Sequence, residues 1–285
     1  MSKTDNLRRA RKVKNDEFYT LYEDIERELP YYRQYLEGKS VYLPCDDPWF
    51  SMFWKYLCDN FDYYKLRSLT ATHIGLDAKV YTTHDGISVL IEPLEGDGDF
   101  RSPACRSILS KNDVVITNPP FSLFRELLNL ILDEKKDYII IGSLNAISYK
   151  IIFPLLQQGK MKLGVNKRLK YFIQPDGTLK TFGNIVWFAS MGHGITLPEI
   201  PLTKEYDPDK YPKYDNYNAI EVGRVADIPK DYYGEMGVPI TFMLKYNPEQ
   251  FDIIGLDNYL SIDNKRFRIN GDIKYARIVI KRKVE

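Results

Sequence analysis

Asn118-Pro-Pro-Phe121 is the stretch of this sequence whose residue types and order can do chemistry on an amino nitrogen. It follows the apolar run 113–117 and precedes the helix-like stretch 122–132, so it closes a predicted strand at its carboxyl end. Each proline fixes its own φ and pushes the residue before it out of the α region. Asn118 and Pro119 are thereby held extended. There the Asn118 side-chain oxygen and the Pro119 carbonyl can face one amino group. Two acceptors drawing its hydrogens leave the nitrogen lone pair free to attack a methyl sulfonium, as an amino-methyltransferase requires. Phe121 offers a flat face on which a base can stack. The same residues also read as a proline-rich turn with Asn118 capping a helix.

A second group of polar residues closes an earlier predicted strand. Ser40–Leu43 ends at Pro44-Cys45-Asp46-Asp47-Pro48. Asp46 and Asp47 either cap the helix that starts near Trp49 or contact a ligand. Pro44-Cys45 could supply a thiol nucleophile, but it lies on a different strand from Asn118 and reads better as a small buried cysteine. Gly96-Asp97-Gly98-Asp99-Phe100 is a loop in which aspartates serve turn chemistry or ligand binding. Phe18, Tyr19 and Thr20 precede the first strand, where the two rings read as core or as ligand contacts. Cys45, Cys58 and Cys105 lack metal-ligand spacing, and His73, His84 and His193 are isolated. No zinc site, deaminase signature or catalytic triad assembles from them, no metal is expected, and reduced thiols point to the cytoplasm.

The elements that must position these residues alternate. A helix broken at Pro30 is predicted over 23–35, then strand 40–43, helix 49–60 and strand 65–72. A hairpin over 79–92 turns at His84-Asp85-Gly86. Strand 113–117, helix 122–132, strand 137–142 and helix 148–158 follow. Strands 160–165 and 184–190 flank a turn at Gln174-Pro-Asp-Gly177. This pattern predicts an α/β fold, a Rossmann-like doubly wound sheet with one antiparallel strand. Ligands of such sheets bind beyond the carboxyl ends of the strands, and both Asp46-Asp47 and Asn118 fall there. From about residue 192 the periodicity fades into Pro-, Tyr-, Asp- and Lys-rich sequence, with short strand candidates at 240–244 and 278–280. The organisation predicted is a basic arm over 1–14, a catalytic domain over 15–190 and an irregular recognition region over 191–285, packed on the catalytic domain.

The 285 residues are 44% hydrophobic, enough for a substantial core without staples. The apolar runs are too short to span a bilayer, and the polar N-terminus has no signal-like segment. Net charge is only +1 but unevenly spread. Arg8, Arg9, Arg11, Lys12 and Lys14 crowd one end, and Lys265 to Glu285 is basic as well. Basic ends on a neutral body suit a polyanion, although such runs also serve as solvated faces.

Several blocks together resemble the EcoRI-type adenine-specific DNA methyltransferases. They are Asp16-Glu-Phe-Tyr-Thr20, Cys45-Asp-Asp-Pro48, Gly96-Asp-Gly-Asp-Phe-Arg-Ser102, Asn118-Pro-Pro-Phe-Ser-Leu-Phe-Arg-Glu126, Tyr211-Pro-Lys-Tyr-Asp-Asn-Tyr217, Met236-Gly-Val-Pro-Ile-Thr-Phe242 and Asn247-Pro-Glu-Gln-Phe251. The resemblance runs from about residue 10 to 282. It implies a class I methyltransferase fold, S-adenosylmethionine as donor and N6 of a flipped-out adenine in double-stranded DNA as acceptor. It also implies a monomer that acts beside a restriction endonuclease or as an orphan. By the same resemblance Phe18, Tyr19 and Thr20 close over the methionine end of the donor, Asp47 and Pro48 belong to the first-strand motif, and Asp99 and Phe100 hold the donor's adenine. Asn118, Pro119, Pro120 and Phe121 are the catalytic motif; Asp46 is a candidate for the donor's ammonium. Two features depart from the wider methyltransferase pattern: no Gly-x-Gly follows Pro48, and the second strand ends at His73 rather than at an acid. An RNA or protein amino-methyltransferase, or a DNA-binding module without activity, are the alternatives, and the recognition sequence stays open.

Overall fold

The computed structural model describes residues 18–174 and 176–283. The arm residues Arg8, Arg9, Arg11, Lys12 and Lys14 therefore lie outside the described residues. The chain divides into two compact units: one holds the residues through Ser143 together with Met161–Gly194, the other Leu144–Lys160 together with Ile195 onward.

The first unit is built on a mixed sheet. Its strands are β1 (Tyr19–Thr20), β2 (Ser40–Leu43), β3 (Ser68–Ala71), β4 (Lys79–Thr83), β5 (Leu90–Pro93), β6 (Val114–Thr117), β7 (Asp137–Ser143), β8 (Lys162–Leu163), β9 (Leu169–Ile173) and β10 (Leu179–Ala189). They are ordered β1-β9-β10-β7-β6-β2-β3-β4-β5, with β8 also on β10. At the centre β3, β2, β6 and β7 run parallel. Every residue of β2, β3 and β6 is buried, as expected where both faces are covered. Helices supply the cover. Met52–Asp59 starts at Ser51, whose hydroxyl accepts from the Phe53 and Trp54 backbone nitrogens. Pro103–Lys111 starts at Ser102 with proline in its first turn. Phe124–Asp133 buries Phe124, Leu127, Leu128 and Ile131, a spacing that lays one apolar stripe on the sheet. Gly142 in β7 makes room for this helix, since a Cβ there would come within 2.4 Å of the Phe124 ring.

Four expectations need correction. Among the described strands three run against the parallel centre, not one: β1, β4 and β10. β4 pairs antiparallel with β3 and β10 with β7, so the hairpins β4–β5 and β9–β10 each put one reversed strand beside the centre, and β1 adds a third by pairing antiparallel with β9. The helix expected over 148–158 begins only at Phe153, after a 3₁₀ segment Leu144–Ser148. The apolar run Ile240–Leu244 is a 3₁₀ helix rather than a strand; the strand is Glu235–Pro239, and it ends at the proline. Helix 23–35 breaks at Pro30 as predicted, into Tyr22–Glu28, a 3₁₀ turn and Arg33–Leu36.

The fourth correction concerns the second unit, which is not irregular. It contains β11 (Lys213–Tyr214), β12 (Tyr217–Glu221), β13 (Glu235–Pro239), β14 (Phe251–Leu256), β15 (Arg268–Ile269), β16 (Asp272–Ile273) and β17 (Arg277–Arg282). Five of them form one sheet, ordered β11-β12-β13-β17-β14. Phe267 is fully buried between the rings of Tyr214 and Tyr217, at 4.3 and 5.1 Å. Arg277 pairs with Glu221 at 2.6 Å with both side chains 12% exposed. Leu144–Lys160 is tied in by Gln157, whose amide nitrogen donates to the carbonyls of Ile253 and Ile254. No helix among the described residues is long and apolar enough to cross a membrane.

Candidate active site

The carboxyl ends of β2, β3 and β6 lie side by side at the middle of the first unit's sheet. β2 and β6 deliver Asp46-Asp47 and Asn118, and the loop carrying Asp99 and Phe100 is tied to the end of β3. At the end of β6, Asn118 is half-buried and Pro119 and Pro120 are buried. The Asn118 amide nitrogen donates to the backbone carbonyl of Phe18. A carbonyl can only accept, so this bond fixes which way the amide points. Asn118 Oδ1 is turned elsewhere, buried and with no hydrogen-bond partner. An acceptor left unmatched in this way is costly unless a ligand's donor completes it.

Phe121 heads an aromatic cluster. Phe18 lies parallel to its ring at 5.8 Å, and Phe182 meets it edge-on at 5.5 Å. Phe172 closes the cluster behind them. Phe18 thus touches the Asn118-Pro-Pro-Phe121 turn twice, by its carbonyl and by its ring. Phe172 and Phe182 come from the β9–β10 hairpin, and nothing in the local sequence marks them as neighbours of Phe121. Tyr19 stacks on Phe50 at 6.3 Å. Thr20 is held in β1 against Phe172, with its hydroxyl oxygen buried and unpartnered.

The adjacent aspartates after β2 have different fates. Asp46 is 6% exposed. Its Oδ1 accepts from Ser51 Oγ and its Oδ2 from Thr117 Oγ1, both at 2.6 Å. Burial pushes its carboxyl up to about 6 against the pull of those two hydroxyls. Asp46 therefore links the helix cap at Ser51 to the residue before Asn118. Ser51 and Thr117 are partners that sequence reading misses; only the N-cap position of Ser51 was a signal. Asp47 is half-buried. Its Oδ1 accepts from the Trp49 backbone nitrogen at 3.0 Å and its Oδ2 faces His73 Nε2 at 3.6 Å.

Asp99 and Phe100 lie in the loop tied to the end of β3, where the Gly75 nitrogen donates to the Asp97 carbonyl at 2.8 Å. Gly98 is needed there: its φ is +77°, and a Cβ would come within 2.1 Å of the His73 carbonyl oxygen. The Asp99 carboxylate accepts from the Arg101 backbone nitrogen and from the Arg101 guanidinium, at 2.6 Å for the shortest bond. Arg101 also pairs with Glu126 at 2.6 Å, in the helix that follows the Asn118 turn. Phe100 is buried beneath this guanidinium. A cleft of about 310 Å³ includes Pro48 in its wall, but none of residues 118–121. The structure therefore brings Phe18, Asn118 and Phe121 together, and Asp46 beside them through Thr117. Asp47, Pro48, Asp99 and Phe100 gather instead around the ends of β2 and β3.

This mixed sheet, with its Asn-Pro-Pro-Phe turn at a central strand end, fits a methyltransferase fold. The profile of the EcoRI adenine-specific methyltransferases matches residues 6–283. A type II methyltransferase of Escherichia coli, M.EcoRI, is 40% identical over 97% of this chain and 96% of its own length. M.MpnI of Mycoplasma pneumoniae is 32% identical, covering 96% of this chain and 97% of the relative. M.MgeORF184P of Mycoplasma genitalium is 31% identical, covering 97% and 98%. No solved structure matches the chain. The chain belongs to the EcoRI family of adenine-specific DNA methyltransferases.

Proposed function

We propose that this chain transfers a methyl group from S-adenosylmethionine to N6 of an adenine flipped out of double-stranded DNA. The observation that carries the reading is the Asn118 amide, pinned through its nitrogen to Phe18 while Oδ1 lacks a partner. Asn118 Oδ1 and the Pro119 carbonyl take the two N6 hydrogens and orient the nitrogen lone pair. When bound, S-adenosylmethionine supplies an activated methyl group on a sulfonium. The chain's own task is then to hold and orient the base, and positioning of this kind accounts for several kcal/mol of a barrier in general.

Extruding a paired base costs on the order of a few kcal/mol. Stacking on Phe121 returns roughly 1–3 kcal/mol of that. The adenine takes the face of Phe121 that Phe18 covers here, so the Phe18 ring has to yield. The donor's place is the group of strand ends at Asp47, Pro48, Asp99 and Phe100, with Phe18, Tyr19 and Thr20 at its methionine end. The half-exposed Asp47 and the unpartnered Thr20 hydroxyl fit a polar ligand there. Asp46, with both oxygens engaged, fits a brace under Asn118 better than an ammonium ligand.

Arg8, Arg9, Arg11, Lys12 and Lys14 serve phosphate contacts, and residues 191–285 read the sequence. The chain acts in the cytoplasm as a monomer of type II character, beside a restriction endonuclease of the same specificity or as an orphan. Incubation with methyl-labelled S-adenosylmethionine and unmethylated genomic DNA tests the reaction. The expected product is N6-methyladenine at one short motif. Label in RNA or protein but not in DNA would overturn the reading.

A further inference from the structure

The end of β3 is where a doubly wound nucleotide fold places an acid against ribose hydroxyls. Here it carries His73, beside Asp47 at the end of neighbouring β2. His73 Nε2 and Asp47 Oδ2 are 3.6 Å apart, with side chains 25% and 23% exposed. That gap is longer than a hydrogen bond, and both atoms belong to partly exposed side chains. Asp47 Oδ1 is already taken by the Trp49 nitrogen, which leaves Oδ2 as the available acceptor. The imidazole lies nearly parallel to the Tyr81 ring, at 6.1 Å and 23°.

The tautomer follows from the other nitrogen. His73 Nδ1 is buried with no hydrogen-bond partner. A buried N–H without an acceptor is rarer and costlier than a buried lone pair, so the proton of the neutral ring belongs on Nε2. The pair then presents one donor and one acceptor side by side, spaced too widely to satisfy each other.

We infer that His73 and Asp47 together hold the ribose of the methyl donor: one hydroxyl accepts from His73 Nε2 and donates to Asp47 Oδ2. Such a pair supplies the function of the missing strand-end acid with two residues from adjacent strands. The inference rests on the proposed identity of the donor as S-adenosylmethionine.

Calorimetric titration of the full chain with S-adenosylhomocysteine and its 2′-deoxy and 3′-deoxy analogues tests it. The variants are His73→Phe, which keeps a ring against Tyr81, and His73→Gln, which restores a donor; circular dichroism reports their fold. The wild type is expected to lose roughly 10-fold in affinity when the bridging hydroxyl is removed. His73→Phe should bind S-adenosylhomocysteine roughly 10-fold more weakly and ignore that hydroxyl, with partial recovery in His73→Gln. Equal wild-type affinity for all three ligands overturns the inference without recourse to any variant. So does a folded His73→Phe that discriminates as the wild type does. In both cases the donor reading survives. A wild type that binds no S-adenosylhomocysteine removes the donor reading, and the inference with it.

Discussion

The strand ends of the first unit and the Glu221 cluster in the sheet of the second treat polar groups in opposite ways. At the ends of β3 and β6 and in β1, His73, Asn118 and Thr20 each keep a buried polar atom without a partner. In the second sheet Glu221 is saturated by Arg277 and by the Tyr214 hydroxyl. Burial pushes the Tyr214 hydroxyl above its ordinary range and so keeps it a donor to Glu221. Unpartnered atoms give up stability and keep capacity for a ligand; saturated ones give a defined framework and leave little to bind with. Substitutions should accordingly cost turnover at the first place and stability at the second.

The largest stability effect is expected in the second sheet. Arg277→Ala leaves Glu221, only 12% exposed, short of its cation. Breaking a buried pair in this way costs roughly 3–5 kcal/mol, which urea unfolding would measure. A loss below about 1 kcal/mol would remove the contrast drawn between the two regions.

Asp46 sharpens the comparison from the other side, as the saturated group of the first site. Its carboxyl is raised from 3.8 to about 6 in the folded chain. The folded state therefore binds more protons than the unfolded state between those values, and stability falls as pH rises through that window. A shift of about two units corresponds to roughly 3 kcal/mol. Asp46→Asn should remove most of this pH dependence while keeping a hydrogen bond to Thr117, whose hydroxyl can reverse and accept. Thermal melts from pH 4 to 7 would show it, and an unchanged pH slope in the variant would contradict the assignment.

The smallest effect belongs to a pair in neither class. Lys55 and Asp59 are exposed and four residues apart on one helix, at 2.5 Å. Lys55→Ala should leave the urea unfolding midpoint where it is in the wild type, within experimental error. A clear loss would mean that exposed charge pairs matter here as much as buried ones.

The same contrast explains what could be read from the sequence. The parallel centre was legible because β2, β6 and β7 are continuous apolar runs bounded by turn residues. Asn118 was legible because proline fixes backbone locally, so neighbouring residues suffice to place it. Asp46 and Asp47 look alike in sequence. What separates them is Thr117, 71 residues away, whose hydroxyl reaches one and not the other. Phe182 was missed for the same reason, since it meets Phe121 only once the β9–β10 hairpin has folded. The second sheet was hidden because its strands span two to six residues between proline- and tyrosine-rich connections. At that length apolar periodicity does not distinguish a strand from the 3₁₀ turn at Ile240–Leu244.

The most direct test of the central claim is turnover and stability of Asn118→Ala measured on one preparation. Methyl transfer to DNA should fall by about 10²–10³-fold or more, the scale for losing one aligned polar group at a reacting centre. Unfolding free energy should change by less than about 1.5 kcal/mol, because a single hydrogen bond to the Phe18 carbonyl is lost. Near-normal transfer in a folded Asn118→Ala would contradict the account and return Asn118-Pro-Pro-Phe121 to the status of a strand-to-helix turn.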